Sequence, residues 1–267
     1  VQQGEEYDGR FDRYVAIGDS QTEGVGDGDD ATGLRGWADR LAERLARVNP
    51  DLRYANLAVR GRRAGEVRAG QLDAAIALRP DLVTVVAGVN DLLRPGFDAD
   101  EVAGQLEVMF GALRASGACV ATLTYPDVAR IAPLARPLRP RVERLNERIR
   151  AAAARQDVVV ADAARHDAVA DRRFFGPDRL HANALGHELI ASAVAHALRV
   201  PGSDDSWTRP VAAEHAGRRH AGPVAELRWA STFLGPWIVR RVAGRSSGDG
   251  RSAKRPHLRP VPEAHTP

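Results

Sequence analysis

The chain has 267 residues, enough for one large α/β domain or a domain with an appendage, and its 44% hydrophobic and 27% charged residues are ordinary for a globular protein with a sizeable core. Its net charge of +3 is unevenly spread: from Pro201 onward 11 basic residues face 6 acidic ones, and of the 38 basic and 35 acidic residues in all this leaves 27 and 29 for the preceding part. The basic excess belongs to the tail, so the body is not composed as a nucleic-acid-binding domain.

The N-terminal Val1–Glu6 stretch is polar and acidic and lacks the basic flank and apolar run of a signal peptide. No stretch reaches the roughly 20 apolar residues needed to span a bilayer. A soluble cytoplasmic protein is the default expectation, for a chain that begins without methionine. The first strand-like run, Tyr14-Val15-Ala16-Ile17, is apolar and β-branched and stops at Gly18-Asp19-Ser20. Trp37, Leu41, Leu45 and Val48 recur at helical spacing, and Asn49-Pro50 ends that helix. A second strand is expected over Leu52–Val59 and a second helix over Ala64–Leu78, with Val67, Leu72 and Ile76 on its inner face. Leu82–Ala87 is continuously apolar, as in a buried parallel sheet.

Asp98 or Asp100 is placed to cap a helix running through Val102, Leu106, Met109, Phe110 and Leu113. Ala118–Thr124 reads as the fourth strand, with Cys119 within its apolar run. As the single cysteine, Cys119 permits neither an intrachain disulfide nor a cysteine zinc cluster, and it reads as a small buried hydrophobe. A connection rich in proline (Pro126, Pro133, Pro137, Pro140) leads to a helix over Val142–Ala154 and a fifth strand, Val158–Ala161. A loop with Phe174-Phe175-Gly176-Pro177 precedes a last helix, Asn183–Leu198. Strands alternating with helices predict one parallel sheet covered on both faces. The main domain is thus bounded at residues 1–200. Beyond it, Pro201–Gly222 reads as linker, residues 223–242 as a broken amphipathic helical arm with Trp229 and Trp237, and the tail from Gly244 as disordered.

In a parallel sheet the loops that follow the strands share one edge, where ligands bind. Four stretches fall there: Ser20 after the first strand, Gly61 after the second, Asn90 after the third, and Asp178 with His181 in the last loop. Taken singly, each has a plain alternative: a polar turn, a turn glycine, a capping asparagine, a loop histidine. Taken together, they suit acyl chemistry. A serine hydroxyl needs an adjacent base to act at neutral pH. His181 is the candidate base because imidazole can take up a proton in that range, and Asp178 stands three residues before it, placed to fix its tautomer. His166, His187 and His196 have no comparable partners, and the latter two read as helix-surface residues. Asp27-Gly28-Asp29-Asp30 lacks the spacing and terminal glutamate of an EF-hand loop. The G-x-S-x-G elbow is not matched, because Thr22 stands where its last glycine would be.

Gly18-Asp19-Ser20-Gln21, Asn56–Gly61, Gly88-Val89-Asn90-Asp91 and Asp178–His181 together resemble, in order and spacing, the four blocks of the SGNH (GDSL-type) hydrolases. The resemblance spans residues 13–199. Gln21 stands where leucine gives the motif its name and bears on local packing; Ala182 stands where many members have proline. Neither removes a chemical group from the mechanism. The resemblance implies a three-layer α/β/α sandwich whose five-stranded parallel sheet has the order 2-1-3-4-5. It implies a catalytic triad of Ser20, His181 and Asp178 and an oxyanion hole made by the backbone N–H groups of Ser20 and Gly61 and the Asn90 amide. It implies no metal and no organic cofactor, and a small acyl ester or thioester as substrate. The alternatives are a carbohydrate O-deacetylase using the same residues, or a scaffold acting through its basic aromatic arm at a membrane surface or a partner subunit. Pocket walls are expected from the 125–140 connection and the 166–177 loop.

Overall fold

A computed structural model of the chain describes residues 9–210, 228–229, 231–232 and 247–261. Five parallel strands and one antiparallel strand make its main sheet: β1 (Arg13–Gly18), β2 (Arg53–Asn56), β3 (Leu82–Val86), β4 (Cys119–Leu123), β5 (Val159–Ala161) and β6 (Arg255–Pro260). Their order is β5-β4-β3-β1-β2-β6, so the expected 2-1-3-4-5 arrangement holds with one strand added at the β2 edge. β1 lies at the centre, with Tyr14 opposite Tyr54 on one side and Leu82 on the other.

Among the described residues five long helices cover the sheet: α1 (Trp37–Val48), α2 (Ala64–Ala77), α3 (Ala99–Ala115), α4 (Arg139–Arg155) and α5 (Ala184–Ala197). α1 packs on α5, while α3 packs on both α2 and α4, which gives the two outer layers. Their starts are written in side chains. Asp98 caps α3 by accepting from the N–H of Asp100 and Glu101, and Asn183 caps α5 by accepting from that of Gly186. The periodic residues Trp37, Leu41 and Leu45 are fully buried, as are Tyr14, Ile17, Leu82, Val83 and Phe110 of the same core. Strands buried on both faces explain the continuous apolar run of β3. Cys119 is buried within β4.

Two readings of the C-terminal region need correction. Residues 201–210 are not a free linker: Trp207 is buried, its ring edge-on to His166 at 4.7 Å, and its indole N–H donates to His196 Nδ1 at 3.2 Å. The tail read as disordered contains β6, so the sheet has six strands rather than five. β6 needs little apolar burial because it is held through backbone pairing with β2 and through its charges. Arg255 donates to the Tyr54 carbonyl at 2.8 Å and lies over the Tyr54 ring, while Lys254 donates to Asp39 at 2.6 Å. Most of the 223–242 arm lies outside the described residues. No helix among the described residues is long and apolar enough to cross a membrane.

Candidate active site

β1 ends at Gly18, whose φ of 155° and close approach to Val86 demand glycine: a Cβ there would lie 2.3 Å from the Val86 carbonyl oxygen. The Gln71 amide, from α2, accepts from Gly18 N–H at 2.8 Å and donates to its C=O at 2.9 Å. Asp19 then caps the helical turn Ser20–Glu23, accepting from Gln21 N–H at 3.2 Å. Ser20 is the first residue of that turn and is 6% exposed.

The loop before α5 brings the base to it. An antiparallel bridge between Phe175 and Ala182 closes the loop, and Gly176 N–H donates to His181 C=O at 2.8 Å. His181 Nε2 lies 2.9 Å from Ser20 Oγ, and Nδ1 lies 2.6 Å from Asp178 Oδ2. Asp178 Oδ1 accepts from the backbone N–H of both Leu180 and His181 at 3.0 Å. Burial pushes the Asp178 carboxyl up, but the His181 bond and charge and those two N–H groups outweigh it, so the net shift is downward. An ionised carboxylate only accepts, so Nδ1 carries the imidazole proton and Nε2 is left to accept from Ser20. This arrangement can deprotonate a serine hydroxyl.

The other two expected residues lie beside it. Gly61 follows β2 in a loop with φ 79°, and the loop is tied to the serine turn through Arg60. The Arg60 guanidinium donates to the buried Glu23 carboxylate at 2.7 Å and 3.0 Å, and its backbone N–H donates at 2.6 Å. Asn90 sits in a helical turn, Val89–Leu92, that follows β3. Its Nδ2 donates to Arg62 C=O at 3.1 Å and to Asp19 Oδ2 at 3.2 Å. The next residue, Asp91, accepts from Ala64 N–H at 2.9 Å and so caps α2 from another element. Among the described residues no protein group accepts from the N–H of Ser20 or Gly61. The Asn90 amide, by contrast, already has two acceptors.

Sequence reasoning missed several residues that shape this site. Asp19 is wholly buried, and burial, partly offset by the Gln21 and Asn90 bonds and the nearby His181, pushes its carboxyl up to about 7. His187 is not on the helix surface: it is fully buried, accepts from Trp37 N–H at Nδ1 and faces Val25 C=O with Nε2, both at 3.2 Å. Burial holds it down at about 4, so it is a neutral packing group. Arg179, between Asp178 and His181, lies under the Trp229 ring at 4.4 Å. Behind the triad a cavity of about 70 Å³ is lined by Gln21, Val86, Tyr125, Phe174, Ala182 and Ile190 among others. Both expected wall segments contribute to it. Among the described residues no three His, Cys, Asp or Glu side chains group to hold a metal ion.

Comparisons with known proteins bear on this geometry. The model of the GDSL-like Lipase/Acylhydrolase family matches residues 16–189. No curated relative matches the chain in sequence. Among solved structures, LAE5, an alpha/beta hydrolase enzyme from the metagenome of Lake Arreo, Spain, is similar with a TM-score of 0.60 and 22% identity, over 74% of this chain and all of that one. TesA is similar with a TM-score of 0.59 and 24% identity, over 70% of this chain and 98% of that one. A catalytic mutant of Axe2, an acetylxylan esterase from Geobacillus stearothermophilus, gives a TM-score of 0.59 and 19% identity, over 74% and 96%. At these identities the structural similarity establishes the fold.

Proposed function

The chain belongs to the GDSL-like lipase/acylhydrolase family, and from that premise we propose that it is a serine esterase working through Ser20, His181 and Asp178. The observation that carries this is the unbroken run of hydrogen bonds from Ser20 Oγ to His181 Nε2 at 2.9 Å and from Nδ1 to Asp178 at 2.6 Å. His181 takes the Ser20 proton as Oγ attacks the ester carbonyl, and Asp178 stabilises the imidazolium that forms. The unspent N–H groups of Ser20 and Gly61 meet the charge that develops on the carbonyl oxygen. Asn90 adds a third donor by sharing a proton it otherwise gives to Asp19 or Arg62. His181 then protonates the leaving alkoxide, and the acyl-enzyme is hydrolysed by a water that His181 activates. Solved structures of Axe2 include catalytic mutants at a serine, an aspartate and a histidine, the last two separated by three positions, as Asp178 and His181 are. That spacing supports the assignment.

We further propose that the apolar cavity takes a short aliphatic acyl group; in support, its wall includes Gln21 and Ala182, the residues that follow Ser20 and His181. At about 70 Å³ it is far smaller than the roughly 300–1,000 Å³ of sites that enclose whole drug-sized ligands. A second reading, carbohydrate O-deacetylation, is favoured by the similarity to an acetylxylan esterase. A p-nitrophenyl ester series from acetate upward, run beside acetylated xylooligosaccharides, separates the two. The expected profile falls off beyond about six carbons, and Ser20→Ala loses at least about 10³-fold in kcat/KM. Turnover that survives Ser20→Ala would refute the assignment; a strong preference for the acetylated sugars would favour the deacetylase.

A further inference from the structure

We infer that Gln21, the residue after the nucleophile, is a positioning residue that sets where the His181 imidazole meets Ser20; the inference rests on the esterase reading above. Its amide straddles the base. Nε2 donates to Leu180 C=O at 2.8 Å, and Oε1 accepts from Ala182 N–H at 3.4 Å. Those two groups belong to the residues on either side of His181, so the Gln21 side chain pairs with the loop as an adjacent strand would.

The need for such a tie follows from how the triad is built. Asp178 and His181 sit three residues apart on one loop, and the contacts between them fix the tautomer and the ring without fixing the distance to Ser20. Ser20 lies 161 positions away, on the turn that follows β1. Gln21 shares that turn with Ser20 and reaches the loop directly, so it couples the two halves of the reacting pair. A leucine at this position, as in the name-giving motif, has neither donor nor acceptor to offer. This chain therefore ties its base to the serine turn with a polar clamp at the position where the name-giving motif has leucine.

The test compares wild type, Gln21→Leu and the isosteric Gln21→Glu, with Ser20→Ala as control. The readouts are kcat and KM on p-nitrophenyl acetate and the second-order rate of inactivation by a fluorophosphonate, all per titrated active site, together with thermal melting. Glutamate keeps the acceptor for Ala182 N–H but sets an oxygen against Leu180 C=O. Both variants are expected to lose roughly 10- to 100-fold in kcat and in inactivation rate, the range set by small misalignments of reacting groups, with KM within about twofold. A purely structural role would lower the melting temperature or the titratable fraction and leave the rate per active site unchanged; that result overturns the inference. If Gln21→Leu fails to fold, Gln21→Glu decides by the same criterion. Undiminished activity in Ser20→Ala would instead overturn the esterase reading.

Discussion

Asp19 carries the largest electrostatic cost in the site. Its carboxyl is fully buried and pushed from 3.8 up to about 7, first by desolvation, with the Gln21 and Asn90 hydrogen bonds compensating only in part. The folded chain therefore holds this proton over a range where the unfolded chain has released it. The contribution is most favourable below pH 3.8, declines as pH rises toward 7 and is level above, a difference on the order of 4 kcal/mol. His187 acts with the opposite slope. Its folded value of about 4 lies below its ordinary 6.5, so its contribution is present above 6.5 and is lost as pH falls toward 4. Between pH 4 and 6.5 the two oppose each other. Asp19→Asn removes one of them, so denaturant unfolding of the variant should show stability rising from pH 4 to 6.5 and level to pH 8. The wild type should show a flatter course below 6.5. The readout is the slope, because asparagine also places an amide against Asn90 and shifts absolute stability. Identical pH profiles for the two proteins would remove Asp19 as a titrating group.

Helix α2 organises the site at the scale of elements. Gln71 holds the end of β1, Asp91 caps its N-terminus from the turn that carries Asn90, and the Gly61 loop leads directly into it. Gln71→Leu would leave Gly18 N–H without its partner, buried under a close-packed helix. Its carbonyl would keep only the N–H of Val59, at 3.2 Å. Stranded buried backbone groups of this kind cost roughly 2–4 kcal/mol, which urea unfolding would register as a lower midpoint at unchanged m-value. A midpoint equal to wild type would mean that Gln71 is not clamping the strand. The existence of these elements was legible in the sequence because periodicity is local: α1 occupies the Trp37–Val48 stretch that its apolar spacing predicts, and α2 ends one residue earlier than expected. The clamps made by Gln71 and Gln21 were not legible. A glutamine carries no periodic signal, and its value depends on which backbone group the fold brings within 3 Å. Ser20 could be read together with Asp178 and His181, a pair three residues apart, because the four blocks that carry them match a family in order and spacing; the fold then spans the 161 positions between Ser20 and His181. The second strand was overextended for the same kind of reason as the clamps were missed. The assigned strand ends at Asn56, where the side chain accepts from Ala58 N–H at 3.0 Å and donates to Thr22 C=O at 2.8 Å, although Leu57 and Val59 N–H still donate to the Ala16 and Gly18 carbonyls of β1 at 2.9 Å and 3.2 Å.

At the scale of the whole molecule, the segment 247–261 closes the sheet edge that the α/β body leaves open. β6 pairs with β2 from Arg53–Pro260 to Asn56–Arg255. Its approach is fixed by Arg251 on Asp30, at 2.6 Å and 3.0 Å, and by Lys254, the sole lysine of the chain, on Asp39. Composition hid this strand, since Arg-Pro-His-Leu-Arg-Pro offers almost nothing to a core; an edge strand needs only a backbone to pair with and charges that find counter-charges. Deleting residues 247–267 should cost on the order of 3 kcal/mol from the lost backbone ladder, and a chain of this size would then melt roughly 6–12 °C lower. The exposed edge of β2 should also make the shortened protein self-associate. Catalysis should respond differently. Asp30 links Arg251 to Arg60, but Arg60 keeps its grip on Glu23 when Arg251 is gone, so the serine turn and the Gly61 loop stay joined. The rate per titrated active site at 25 °C should therefore remain within about threefold of wild type, because Ser20, His181 and Asp178 contact one another within residues 18–183, and the segment reaches the Gly61 loop where Gly248 packs on the Arg60 carbonyl and Arg251 meets Asp30. A shortened chain that melts at the wild-type temperature would show that β6 contributes no stability. One that melts lower and also loses turnover in proportion would show that the strap reaches the catalytic groups through Asp30 and Arg60.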